Sequence, residues 1–153
     1  MGPHVKTQLR DGIEAHLRSA VPALNTVCSS VRTLREVQSH EYPAAALTVT
    51  ETAETIGGGP VDQRPIKRTM RVTIALADQL VDIDTIEAHL EAIQADIEAA
   101  LQSSEPFGVL GVKDWGYVGS ESVEVAIEAN LGVQPISYIC FITTKPGQPD
   151  TAI

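Results

Sequence analysis

Four histidines, two cysteines, a triple glycine and a run of carboxylates are the residues of this 153-residue chain that could do chemistry. A structural or catalytic metal wants His, Cys or carboxylate ligands at close spacing, as in H-E-x-x-H or C-x-x-C. His4, His16, His40 and His89 stand in neither pattern, and His16 and His89 fall on segments whose apolar spacing already reads as helix. A cysteine nucleophile needs a nearby His or helix N-terminus to lower its pKa. Cys140 instead sits in an apolar, strand-like run, where a free thiol behaves as a small hydrophobe, and Cys28 is far away in sequence. Gly57-Gly58-Gly59-Pro60 is superficially like a phosphate loop, but it lacks the G-x-x-x-x-G-K-[ST] pattern and no helix follows, so a hairpin tip is the better reading. Asp82 and Asp84 read as helix caps and not as an acid–base pair. No G-x-S-x-G elbow occurs. The sequence therefore assigns no catalytic residue, no metal and no cofactor, and the expectation is a protein that is not an enzyme.

The elements that would position these residues are legible from periodicity. Val5, Leu9, Ile13 and Leu17 recur every fourth residue, which predicts an amphipathic helix over 5–20 between Pro3 and Pro22. Residues 27–38 alternate loosely through Val27, Val31, Leu34 and Val37, a short strand or an extended connection. A strand is expected from Ala44, with Pro43 at its entry, and a flexible loop over 55–66. Met70, Val72, Ile74 and Leu76 alternate with Thr69, Arg71 and Thr73 as a half-buried strand does. Ile86, Leu90, Ile93, Ile97 and Leu101 predict a second helix over 85–102, with Asp84 as N-cap and Glu87 at the capping-box spacing. Alternation at 122–131 and again at 136–144 predicts a hairpin turning at Gly132-Val133-Gln134-Pro135. Residues 145–153, rich in Pro, Gly and polar groups, read as a frayed, disordered tail. The order α-β-β-α-β-β implies one α+β domain over 1–144, a mainly antiparallel sheet of about four strands with both helices on one face.

Composition bounds the function classes. The chain is 43% hydrophobic, 20% charged and 4% aromatic with net charge −9, which suits one folded domain and excludes whole-chain disorder and a disulfide-stapled mini-protein. No apolar run nears the ~18–20 residues of a membrane span, and 1–6 lacks the apolar core of a signal peptide, so folding in the cytoplasm is expected. Charge is unevenly spread. Residues 1–71 hold nine Lys and Arg against seven Asp and Glu, whereas 72–153 hold two against thirteen. Arg64, Lys67, Arg68 and Arg71 form a basic cluster, and no basic residue stands between Arg71 and Lys113. That composition argues against gripping DNA by neutralising phosphates. Its polarity suits head-to-tail contact between identical subunits or contact with a basic partner, although an acidic helix face is also what solvation alone would select.

The organisation resembles the tail terminator proteins of long-tailed phages, the lambda U type. The resemblance is carried, over about 5–144, by the first helix and the aromatic-proline strand start Tyr42-Pro43-Ala44-Ala45-Ala46-Leu47. It continues through the alternating strand Thr69-Met70-Arg71-Val72-Thr73-Ile74-Ala75-Leu76, the helix over 86–101, the pair Gly116-Tyr117 and the ending Ser137-Tyr138-Ile139-Cys140-Phe141-Ile142-Thr143-Thr144. It implies a virion protein that forms a ring, usually a homohexamer, stopping tail-tube polymerisation and presenting a surface to the head-tail connector or neck protein. Its partners would be itself, the tail tube protein and the connector, with no membrane and no sequence-specific nucleic acid. Arg64, Lys67, Arg68 and Arg71 with Gly57, Gly58 and Gly59 are then the candidate interface residues, the alternative being a basic strand edge kept soluble. A neck protein of the same virion shares this layout. A reading from another class is a small ligand-binding module with Trp115 and Tyr117 lining a pocket, against which stands ordinary core packing of that pair.

Overall fold

A computed structural model describes residues 2–29, 37, 39–126 and 130–153. The chain is a single α+β domain, and its described residues form two α-helices and a seven-stranded sheet, larger than the expected four strands. In chain order they are α1 Val5–Ala20, β1 Thr26–Cys28, β2 Ala44–Thr55, β3 Ile66–Gln79, α2 Ile86–Ala100, β4 Lys113–Ser120, β5 Glu124–Ala126, β6 Leu131–Lys145 and β7 Gln148–Ala152. The sheet runs β1-β2-β3-β6-β4, with β1 parallel to β2 and the rest antiparallel. β3 pairs with β6 along its whole length, from Ile66 opposite Thr144 to Gln79 opposite Leu131. The far edge of β6 is shared end to end by β5, β4 and β7.

Period-2 and period-3.6 apolar patterns meet in one core. Met70, Val72, Ile74 and Leu76 of β3 lie opposite Cys140, Tyr138, Ile136 and Gln134 of β6. They are covered by Val5, Leu9, Ile13 and Leu17 of α1 and by Leu90, Ile93 and Ile97 of α2, as the spacing predicted. Val123 packs against the same core, but Val125, expected inside, is exposed, and Ile127 lies outside the described residues, as do Val31 and Leu34. Among the described residues the opposite sheet face is buried toward one end, where Cys28, Ala44, Ala46, Ala75 and Ala77 pack with Val37 and Tyr42.

Three local expectations are corrected. The helix α2 begins one residue late: Thr85 is its N-cap, without a side-chain hydrogen bond, and Asp82 Oδ1 organises the approach by accepting from the Asp84 N–H at 3.0 Å. The segment Gly132-Val133-Gln134-Pro135 is not a turn but the start of β6. A side chain at Gly132 would stand 2.7 Å from Ile86 Cγ1, so this glycine marks a close helix–sheet approach. The Pro135 carbonyl accepts from Glu121 N–H at 3.0 Å, which turns the proline nitrogen to the seam between β5 and β4 and costs β3 no ladder bond. The β5–β6 connection instead ends on Asn130, at φ +55°. Finally, 145–153 is not frayed: Pro146 and Gly147 (φ +71°) turn the chain and β7 pairs with β6. β7 is further tied down where Gln8 Nε2 donates to the Asp150 carbonyl at 2.7 Å and the Gly2 N–H to Asp150 Oδ2 at 2.9 Å, a contact that lowers the Asp150 pKa.

Candidate assembly surfaces

The four basic residues of the predicted interface do not share a surface. β3 alternates, so Arg68 points to the helix-covered face with Met70, while Lys67, Thr69 and Arg71 point to the other. Arg68 is nearly closed off from solvent, with 11% of its side chain exposed. Its Nη1 donates to Glu51 Oε2 at 3.2 Å and its Nε to Thr144 Oγ1 at 3.0 Å, under the start of α1. There His4 caps the helix: its Nδ1 accepts from the Lys6 N–H at 3.0 Å, and its Nε2 lies 3.3 Å from Arg68 Nη1 and 3.8 Å from Glu51 Oε1. Arg68 therefore closes one end of the core, which corrects the expectation of a surface residue.

Arg64 folds back onto the hairpin tip, its Nε donating to the Gly59 carbonyl at 2.7 Å. The tip spans 56–65 and is closed at its base by Ile56 N–H donating to the Pro65 carbonyl at 2.9 Å. Gly57 and Gly59 have φ of +83° and +92°, a conformation that favours glycine, and nothing lies within 4 Å of a side chain added at any of the three. These glycines therefore serve the backbone of a tip standing clear of the domain.

Lys67 and Arg71 stand on the open sheet face. Lys67 Nζ lies 4.4 Å over the Phe141 ring, a cation–π contact that holds both side chains against the sheet. Arg71 is exposed, opposite Ile139, which is 39% exposed. Lys113 of β4 lies opposite Phe141 and is exposed on the same face. Sequence reasoning missed Lys113, Ile139 and Phe141 as surface partners of the basic residues, because only cross-strand register brings them together.

The outer surface of α2 carries the opposite charge. Glu87 and Glu91, one helical turn apart, are exposed, and Asp82 and Asp84 lead into them. His89 is bound to Asp78 of β3.

Trp115 belongs to the core and not to a pocket. Its ring stacks on Tyr138 at 4.9 Å and meets the edge of Phe107 at 4.8 Å, and its Nε1 donates to the Leu101 carbonyl at 2.7 Å, so Trp115 also anchors the end of α2. Tyr117 meets Tyr138 edge-on at 5.5 Å and its hydroxyl accepts from Gln94 Nε2 at 3.1 Å. Burial, with Glu98 and Tyr117 nearby, raises the Tyr138 pKa. An open groove of about 570 Å³ between the ends of α1 and α2, lined by His16, Ala20, Asp96 and Pro106 among others, includes neither Trp115 nor Tyr117. Burial pushes the Cys140 thiol up to about 12, which keeps it protonated and inert as a nucleophile at neutral pH. Cys28 is also buried, its Sγ donating to the Ala45 carbonyl at 3.6 Å. Among the described residues no three His, Cys, Asp or Glu side chains gather in a metal-binding group. Nor, among them, is any helix long and apolar enough to cross a membrane.

No protein-family model matches the chain, and no curated protein matches it. Among solved structures it is similar to a chain of the virion of a native gene transfer agent particle, with a TM-score of 0.50 and 12% identity over 92% of each chain. At that identity the likeness is one of fold.

Proposed function

We propose that the chain is a structural, non-enzymatic virion protein that closes into a ring on the end of a phage-type tail tube, ends tube growth and joins tail to head. The observation that carries the reading is the fold shared over 92% of both chains with a component of a gene transfer agent virion. It agrees with the order of elements that resembles the lambda U type of tail terminator. The charge layout supports it as well. A subunit with a basic, partly apolar sheet face and an acidic helix face is built for heterologous contacts, which close into rings when the rotation per subunit divides a full turn. Six copies of a −9 chain would carry about −54, and an acidic lumen lets DNA pass without sticking.

The partners in this reading are the tail tube protein below the ring and a connector above it. Electron microscopy of particles assembled without this chain tests it. Tube lengths that lose their upper limit support a terminator. Tubes of normal length left unjoined to filled heads would instead assign the chain to the neck, and particles unchanged in tail and head would overturn the reading.

A further inference from the structure

We infer that the open sheet face is the seat for a second copy of this chain, and that the acidic outer surface of α2 is the part of that copy it receives. The assignment rests on the ring reading above and names its contact.

Two observations select the occupant. The open half of the face is basic and partly apolar: Lys67, Arg71 and Lys113 surround Ile139 and the Phe141 ring. Glu54 stands opposite Lys67 at the edge of this patch, and the three cations still outweigh it in a chain of net charge −9 with eleven Lys and Arg. The complementary surface exists on the same molecule, because 72–112 contains no basic residue and exposes Asp84, Glu87 and Glu91 along one end of α2. The two surfaces lie on opposite sides of the sheet, since α2 covers the face with Met70, Val72 and Ile74, while Lys67 and Arg71 point away from it. A contact that joins opposite sides of one subunit is head-to-tail by geometry, the type that continues around a ring instead of stopping at a pair. Complementary potentials also set register and penalise like-charge pairings, so sheet face against sheet face is disfavoured.

Paired charge reversals test the assignment. Arg71→Glu with Lys113→Glu reverses the sheet face, and Glu87→Lys with Glu91→Lys reverses the helix. All four side chains are exposed, and thermal melts of both variants are expected to overlay the parent. Native mass spectrometry of each variant alone is expected to show assembly needing at least about tenfold more protein than the parent, from like charges meeting across the contact. Mixed in equal amounts, the two variants are expected to assemble again, because each reversed sheet face meets a reversed helix and each native sheet face a native one. If the parent forms rings and each variant alone does so at the parent's concentration, the faces are wrong and the ring reading stands. Failure of the mixture to recover also overturns the face assignment. Assembly of the helix variant alone at the parent's concentration, with the sheet variant alone impaired, would mean a contact that does not use α2 and overturn it too. A parent that stays monomeric removes the ring reading itself. Tight duplex DNA binding by the parent, lost in the sheet variant, would assign the face to nucleic acid instead.

Discussion

Ile74 has no exposed surface, with Leu47 beside it on β2 and Ile136 on β6. Ile74→Asp places an unpaired carboxylate there, which typically costs several kcal/mol, a large share of the ~5–15 kcal/mol that holds a domain together. The variant is expected to be largely unfolded by circular dichroism, and a melt like the parent's would contradict the sheet assignment. Arg68 and Arg71 make a sharper pair, being neighbours in sequence with opposite roles. Arg68→Glu sets a second carboxylate against Glu51 in a half-buried site and is expected to cost about 3 kcal/mol. Arg71→Glu, on the open face, is expected to stay within about 0.5 kcal/mol of the parent. Urea unfolding measures both, and equal midpoints would contradict the inward placement of Arg68. That placement was legible in the sequence: alternation through Met70, Val72 and Ile74 puts position 68 on the buried side. Grouping four basic residues by proximity hid it.

At the scale of elements, what periodicity encodes was readable and what register encodes was not. α1, α2 and β3 carry their own apolar rhythm, so each could be placed from its sequence, and all three cover or form one core. The start of β6 was misread because glycine and proline are turn residues only where nothing else asks for them. Gly132 is required by the approach of Ile86, and Pro135 by nothing more than a free seam on one side. At 146–147 the same two residue types do make a turn, and β7 follows because Gln8 and Gly2 hold its far end. Truncation after Lys145 is therefore expected to lower stability by about 2–3 kcal/mol through the hydrogen bonds removed and the lost cover of Ala152, measured by thermal and urea unfolding. An unchanged midpoint would return 146–153 to the status of a tail. The glycine tip makes the converse case. Fixing three glycines is entropically costly, so amides of 57–59 are expected to exchange rapidly in the free subunit and slow by tenfold or more in the assembly. Equal protection in both states would leave the tip without a partner.

For the whole molecule, charge asymmetry was legible in the sequence and its geometry was not. Nine of eleven basic residues precede position 72, yet only the fold shows that the acidic helix and the basic strand lie on opposite sides of one sheet. In the proposed head-to-tail assembly, ring formation would depend on ionic strength, since exposed charge pairs are screened as salt rises. The most direct test of the ring is the native mass of the purified chain, taken over a concentration series at low and moderate salt, with class averages of the same sample by negative-stain microscopy. The expected result is one closed assembly with rotational symmetry, a hexamer, whose population falls as salt is raised. A chain that stays monomeric throughout, stops at a two-fold dimer or grows into open filaments would contradict it.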